Sequence, residues 1–236
     1  MDTLEIIFLV VASLLAVIFI AARTLKGGIL GLMLKILASF AFVSTAVVGI
    51  MLSSATGNIK IAMGLIVIGL LLGMIGDIVL DLKVIYEGND KWYLNSGMLS
   101  FSIGHGFYFA AFSLIALENG GKLLLPILIG AGASLVLSTL TMLSGKPLKL
   151  NFGKFLFQAA GYSFILNFMV VFSLVLAIMG ALSWLVFVGL LIFLLSDLVL
   201  STQYFGGKLH TKPLIAINHL LYYAAQLIIV AFLLGL

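Results

Sequence analysis

Long apolar runs separated by short polar loops dominate the chain. Each run has 19–25 residues, and an α-helix needs about 20 residues to cross the hydrocarbon core of a bilayer. The runs cover residues 4–22, 29–52, 59–80, 95–117, 123–143, 155–179, 182–201 and 213–234. The pattern predicts an all-α, polytopic membrane protein with eight transmembrane helices. Because no stretch is left for a soluble domain, residues 1–236 are expected to form a single transmembrane domain.

Composition leads to the same class of protein. Hydrophobic residues make up 64% of the 236 residues and charged residues only 8%, whereas charged residues are about a quarter of a soluble globular chain. Asp2 and Glu5 stand where a signal peptide would be basic, so the first run is expected to be a span and not a cleaved leader. The absence of Cys excludes disulfides and thiolate chemistry.

Basic residues are distributed unevenly among the loops. Nine of the twelve Lys and Arg residues lie in or beside the odd-numbered loops, and these are Arg23, Lys26, Lys83, Lys91, Lys146, Lys149, Lys154, Lys208 and Lys212. Lys60 and Lys122 lie in even-numbered loops, and Lys35 lies inside the second run. The positive-inside rule then predicts cytoplasmic odd loops and both termini outside. We expect a multi-pass protein of a bacterial plasma membrane, and the net charge of +4 is interpreted as this topology signal, with no nucleic-acid partner expected.

A polar motif occurs twice within the apolar runs. An Asp lies near the end of one run, and a His-x-x-Tyr-aromatic-Ala-Ala segment lies in the next run. The first copy contains Asp77 and His105, and the second contains Asp197 and His219. The copies are four spans apart, so they point the same way across the membrane. The sequence therefore predicts a parallel internal repeat of helices 3–4 and 7–8, with pseudo-repeats of approximately 1–117 and 118–236, and gives no such sign for helices 1–2 and 5–6.

Most other polar residues within the spans lie in the same inner halves. Those assigned as candidate substrate-binding residues are Lys35, Asp81, Asn95, Ser102, Tyr108, Tyr162, Asn167, Ser201, Asn218, Tyr222 and Gln226. Intramembrane Asp and His are costly and tend to mark function. With a rise of 1.5 Å per residue, the duplicated Asp and His lie about 5–15 Å below the inner surface. We therefore predict one polar cavity, open to the cytoplasm, with Asp77, His105, Asp197 and His219 lining it as candidate catalytic residues.

Several of these residues also have a simpler structural interpretation. Asp81 lies close enough to the loop to be a solvated charge at a helix end. Lys35 could snorkel to the inner surface, or act as counter-charge to a substrate phosphate or to the Asp pair. Gly73 and Gly76 could form a close helix-packing face. His210, in the last loop, is expected at the surface.

Three functions fit these residues. Two carboxyl groups can act as an acid–base pair in a hydrolase, and the sequence contains neither Cys nor a Gly-x-Ser-x-Gly elbow. A zinc-dependent hydrolase could use His105, His219 and one or two Asp, although no His-x-x-x-His spacing supports it. A carrier or permease for a small amphiphile or ion could use the Asp and His residues as a proton relay. Transporters often have helices broken at mid-membrane, whereas all Pro here lie at or near span ends, at Pro126, Pro147 and Pro213.

The motif set resembles the YhhN family of membrane proteins, which includes lysoplasmalogenases. The resemblance covers about residues 35–226 and rests on Gly76-Asp77, His105-x-x-Tyr108, Ser196-Asp197 and Tyr222-x-x-x-Gln226 in this order. It implies hydrolysis of the vinyl-ether bond of a lysoplasmalogen to a fatty aldehyde and a glycerophospho-alcohol. We expect this hydrolysis to need no cofactor and no metal.

The resemblance also implies particular site residues and partners. It assigns function to Asp77 and Asp197, and to Lys35 as a basic residue early in helix 2, where Lys35-Ile36 replaces the expected Lys-Pro. The expected partners are a lysophospholipid-like substrate and membrane lipid. The head group, the oligomeric state and the choice of acid and base between the two Asp are left open.

Overall fold

The computed structural model of the protein describes residues 1–86, 90–206 and 211–236. Within these ranges it contains eight α-helices, each long and apolar enough to cross a membrane, and no β-strand. The helices are α1 (Thr3–Leu25), α2 (Gly28–Leu52), α3 (Gly57–Ile85), α4 (Asp90–Glu118), α5 (Leu124–Ser144), α6 (Leu156–Ile178), α7 (Trp184–Phe205) and α8 (Lys212–Leu233). The predicted all-α fold with eight transmembrane helices is confirmed. Lys208 and His210, the latter expected at the surface, lie outside the described residues.

Seven of the helices pack as a closed ring. Going around the ring, the contacts run from α1 to α2, α3, α4, α6, α7 and α8, and α8 packs back against α1. Within the described residues α5 packs against α6 alone, so it lies outside the ring. In each half of the chain every helix packs against the next one, from α1 to α4 and from α5 to α8. The first helices of the two halves differ, because α1 also packs against α8, whereas α5 packs against α6 alone among the described residues. The parallel repeat itself stays a prediction.

Glycines allow a close approach of α3 and α4. A Cβ atom on Gly69 would lie 2.4 Å from the ring of Tyr108, and one on Gly104 would lie 3.1 Å from the carbonyl oxygen of Gly69. A Cβ atom on Gly76 would lie 3.1 Å from the carbonyl oxygen of Gly97. Small residues at a helix interface are typical of membrane bundles, where close van der Waals packing drives association. The interpretation of Gly76 as part of a close helix-packing face is therefore confirmed.

The candidate site lies towards one end of the bundle, which we call the basic end: the end where α1, α3, α5 and α7 finish. Here the backbone N–H of Asn151 donates to the carbonyl oxygen of Phe205 at 2.8 Å. At the opposite end the side chain of Asn119 donates to the carbonyl oxygen of Ala181 at 3.1 Å. These bonds tie neighbouring connections together at each end. That the basic end faces the cytoplasm stays a prediction.

Candidate active site

Four charged side chains form a buried network where α1, α2 and α3 meet. Nζ of Lys35 lies 2.7 Å from Oδ1 of Asp77 and 3.5 Å from Oδ1 of Asp81. Nη2 of Arg23 donates to Oδ1 of Asp81 at 2.7 Å. All four residues are buried. Isolated charges would be very costly here, and the pairing of two cations with two anions compensates for that cost.

This network decides between the interpretations left open by the sequence. Lys35 contacts both carboxylates and is 2% exposed, so it acts as counter-charge to the Asp pair and does not snorkel. Asp81 is 3% exposed, so the interpretation of Asp81 as a solvated charge at a helix end is wrong. The reason is Arg23, which reaches across from the end of α1 and covers it.

Arg23 is a site residue that the sequence analysis missed. It was counted only among the basic residues of the odd loops, because it lies near the end of an apolar run. One signal could have pointed to it. Arg23 and Asp81 both lie at the inner ends of their runs, where opposite charges on neighbouring helices can meet.

A cavity of about 170 Å³ opens beside the network, and we call it the charged cavity. Its lining residues are Arg23, Gly27, Gly28, Lys35, Asp77, Leu80, Asp81, Leu200, Gln203, Tyr204, Ile215, Asn218 and His219. Among the described residues, Oδ2 of Asp77, Oδ2 of Asp81 and Nη1 of Arg23 have no hydrogen-bond partner. The volume far exceeds the about 15 Å³ that one water molecule needs. The cavity can therefore bind water or the polar part of a ligand.

A second cavity, of about 500 Å³, lies among α3 to α7, and we call it the apolar cavity. Leu, Met, Phe and Ala side chains form most of its lining. Asp197 is its only carboxyl group among the residues described, and it accepts a hydrogen bond from the hydroxyl of Tyr162. Asn167 also lines the cavity, but its amide donates to the carbonyl oxygen of Ser163, one turn back on α6, at 2.8 Å.

The two cavities share a wall. Leu80, Leu200 and Tyr204 line both of them. The hydroxyl of Tyr204 donates to the carbonyl oxygen of Leu80 at 3.0 Å, which holds the ring in this wall. The two Leu residues follow the two duplicated Asp by three positions each, so they lie on nearly the same helix faces as the carboxyl groups. The duplicated motif itself therefore supplies two of the residues that the cavities share.

The four residues expected to line one cavity do not all line either of the two described cavities. Asp77 and His219 line the charged cavity, Asp197 lines the apolar cavity, and His105 lines neither of them. Depth along a span was predicted from sequence, but a shared cavity also depends on the rotation of each helix about its axis. That rotation places the two carboxyl groups in adjoining cavities, and their action on one substrate stays a prediction.

His105 lies within an aromatic cluster between α4 and α7. Its Nδ1 is 2.8 Å from the carbonyl oxygen of Phe101, one turn back on the same helix. Its ring meets that of Phe193 edge-on, with centroids 5.0 Å apart. It is 2% exposed. The structure thus supplies a packing explanation for His105, and its catalytic role stays a prediction.

The candidate substrate-binding residues divide into three groups. The charged cavity is lined by Lys35, Asp81 and Asn218, and the apolar cavity by Tyr162, Asn167 and Ser201. The residues that line neither cavity are Asn95, Ser102, Tyr108, Tyr222 and Gln226. Substrate contact by any of them stays a prediction.

Asn218 also has a structural role. Its Nδ2 donates to the carbonyl oxygen of Ser196 at 2.8 Å and to its Oγ at 3.1 Å. In return, Oγ of Ser196 donates to the carbonyl oxygen of Asn218 at 3.2 Å. This reciprocal set joins α7 to α8 directly beside Asp197. It therefore positions the apolar cavity's carboxyl group relative to the charged cavity.

The metal alternative gains no support from the arrangement of side chains. Across residues 1–86, 90–206 and 211–236, no three His, Cys, Asp or Glu side chains come close enough to hold a metal ion. His105 and His219, the two proposed zinc ligands, do not both line either of the two described cavities.

The sequence pattern of the YhhN family matches residues 30–233, which is most of the chain. The chain belongs to the YhhN family. The match includes both duplicated Asp motifs and Lys35, but Arg23, Gly27 and Gly28 of the charged cavity precede it. No curated protein and no solved structure matches the chain. This match confirms the expected family, and the YhhN family includes lysoplasmalogenases.

Proposed function

We propose that this YhhN protein is a membrane-embedded hydrolase that cleaves the vinyl-ether bond of lysoplasmalogen-type lysophospholipids. The observation that supports it best is the shared wall between an apolar cavity with one carboxyl group and a charged cavity with another. A lysophospholipid has the matching division, with a single hydrocarbon tail joined to a charged head group. Its vinyl-ether bond lies at the junction of the two parts.

The apolar cavity is suited to the hydrocarbon tail. Its volume of about 500 Å³ lies within the range of ligand pockets, about 300–1,000 Å³. An apolar lining binds the tail without specific contacts, and Asp197 at its side supplies a polar group. With the tail here, the vinyl ether would lie against Leu80, Leu200 and Tyr204, which face both cavities.

The chemistry requires a proton donor and a water molecule. A carboxylic acid transfers its proton to the alkene carbon remote from the ether oxygen, which leaves an oxocarbenium ion. Water adds to the carbon that carries the ether oxygen, and a carboxylate accepts the proton that the water loses. When the resulting hemiacetal breaks its carbon–oxygen bond to the glycerol, the leaving oxygen takes the proton from the protonated base and the hydroxyl gives its proton to the carboxylate of the former acid. The products are a fatty aldehyde and an alcohol, and both carboxyl groups return to their starting states. One water is consumed, and general acid–base catalysis of this kind contributes about 10²–10⁴-fold.

The different surroundings of the two carboxyl groups suggest different roles. In this proposal Asp197 is the acid, since it lines the apolar cavity that takes the tail and, unlike Asp77, forms no ion pair among the described residues. Asp77 activates the water, since this residue lines the cavity that can hold water and its Oδ2 has no hydrogen-bond partner among the described residues. Lys35 balances the charge of Asp77 through Oδ1 and leaves Oδ2 available.

Purified protein tests the proposal directly. We expect fatty aldehyde from a lysoplasmalogen, none from its acyl-ester analogue, and the same rate with a chelator present. Asp77→Asn and Asp197→Asn should each lower kcat by at least about 100-fold, while Asp2→Asn, at the start of α1 at the opposite end of the bundle, should match the wild type. Full turnover in either site variant would refute the two-carboxylate mechanism. Loss of activity with chelator would favour a metal site, and lipid uptake into vesicles without turnover would favour a carrier.

A further inference from the structure

Of the two terminal nitrogens of Arg23, one forms a hydrogen bond and the other has no hydrogen-bond partner among the described residues. Its Nη2 is held by Asp81 at 2.7 Å, while Nη1 has no hydrogen-bond partner among the described residues. The side chain is only 8% exposed and lines the charged cavity. A Cβ atom on Gly31 would lie 3.2 Å from Nη1, so the guanidinium group lies directly over the first turn of α2. A buried cationic N–H without a partner is costly, which points to a ligand at this position.

The start of α2 provides a second donor surface in the same cavity. Gly27 and Gly28 both line it, and both have φ of +63°. The first hydrogen bond of the helix runs from Gly31 N–H to the carbonyl oxygen of Gly27. No side chain caps this end, and the first turn contains no acidic residue. Uncapped N–H groups at a helix N-terminus attract anions, and phosphate most of all.

The net charge beside the charged cavity is positive at the N-terminus of α2. Arg23 and Lys35 balance Asp77 and Asp81, so the four side chains sum to zero. What remains is the partial charge of the helix N-terminus, about half an elementary charge. It lies close to Nη1 of Arg23, which is 3.2 Å from the Cβ position of Gly31 in the first turn of α2.

We propose that Nη1 of Arg23 and the N-terminal N–H groups of α2 bind the phosphate of the substrate head group. The inference rests on the proposed function and adds a specificity-determining residue to it. The family match begins at residue 30, so membership does not account for Arg23 or for the two glycines. Asp81 is then a positioning residue that orients the guanidinium group through Nη2.

This placement agrees with the geometry proposed for the reaction. The three-carbon glycerol backbone separates the phosphate from the vinyl ether. A phosphate beside Arg23 in the charged cavity would therefore leave the ether near the shared wall and the tail in the apolar cavity. Lys35, the head-group contact considered from the sequence, has its ammonium group between Asp77 and Asp81 instead.

The test uses binding, not turnover, so that it is independent of the proposed chemistry. The probes are a saturated 1-O-alkyl lysophosphocholine, which has no vinyl ether to cleave, and the 1-O-alkylglycerol with the same tail and no phosphate. Binding of each tritiated lipid to purified protein in an uncharged detergent gives two affinities and their ratio. The wild type should prefer the phospholipid by about tenfold or more, as expected for a charge-assisted hydrogen bond. Equal affinities in the wild type would overturn the proposal, whether or not the protein cleaves vinyl ethers.

Variants then assign the preference to Arg23. Arg23→Gln should abolish it, and so should the double variant Arg23→Gln/Asp81→Asn, which removes the pair without leaving Asp81 unbalanced. Asp81→Asn breaks the same ion pair but keeps the guanidinium group, and it should retain a preference. Lys60→Gln, which removes a cation at the opposite end of the bundle, should match the wild type.

A preference that persists in both Arg23→Gln variants would overturn the assignment. Competition by inorganic phosphate as effective as that by the lipid would overturn the head-group assignment in favour of the free ion.

Discussion

Lys35 and Asp77 form a buried ion pair that joins α2 to α3, with Nζ 2.7 Å from Oδ1. The pair leaves Oδ2 of Asp77, a residue that lines the charged cavity, without a hydrogen-bond partner among the described residues. One carboxyl group thus joins two helices through one oxygen and has the other oxygen unpaired. Stability and activity at this position can be separated by experiment.

We expect Lys35→Met to lower the free energy of unfolding by about 3–5 kcal/mol, because it leaves a buried carboxylate without its closest cation. The double variant Lys35→Met/Asp77→Leu should recover most of that loss, since an apolar pair of similar volume can replace a buried ion pair. Neither variant should release aldehyde. Denaturant unfolding in detergent measures the stabilities, and a double variant as unstable as the single one would contradict the pairing argument.

Tyr162→Phe should reduce kcat and leave the fold intact. The change removes the hydroxyl that donates to Asp197 and no other described hydrogen bond. We expect a reduction of about tenfold, because the carboxyl group loses orientation but stays in place. Tyr86→Phe, at an exposed tyrosine just beyond α3, is the control and should not change kcat. Wild-type kcat in Tyr162→Phe would show that this hydrogen bond does not assist the reaction.

Gly69→Ala should disrupt the contact between α3 and α4. The new Cβ would lie 2.4 Å from the ring of Tyr108, closer than any real contact, so the helices or the ring must move. Gly64→Ala on the same helix meets nothing within 4 Å and should be neutral or stabilising by up to about 1 kcal/mol. Thermal unfolding compares the two variants. Equal melting temperatures would contradict the close packing at Gly69.

His105→Phe should preserve the aromatic cluster and most of the turnover. His105 lines neither cavity, and its ring packs edge-on against that of Phe193. We expect kcat to fall by less than about tenfold, below the range for loss of a general acid or base. Kinetics on the folded variant measure this. A fall of several hundredfold would support the catalytic role predicted for His105 from the sequence.

The orientation predicted by the basic loops can be tested on a chain that contains no Cys. Lys149→Cys should react only with reagents that enter the cell, and Lys122→Cys should react with impermeant reagents added outside. Maleimide labelling of intact cells measures both. External labelling at position 149 would reverse the topology and place the charged cavity on the outer side.

The sequence alone was sufficient for the class of fold. Eight apolar runs predicted eight helices, because a span must satisfy its backbone hydrogen bonds internally and must have a certain length. Both are local properties of the chain. The family and the two duplicated Asp motifs were also readable, since each depends on residue type and order.

Tertiary structure alone decided which polar residues meet. Arg23 pairs with Asp81, and Leu80, Leu200 and Tyr204 line both cavities. Both arrangements depend on how each helix is rotated about its axis and on its neighbours in the ring. Hydropathy contains little information about rotation, because the lipid-facing and the packed sides of these helices are both apolar. The sequence therefore located the charges along each span, and packing determined which of them share a cavity.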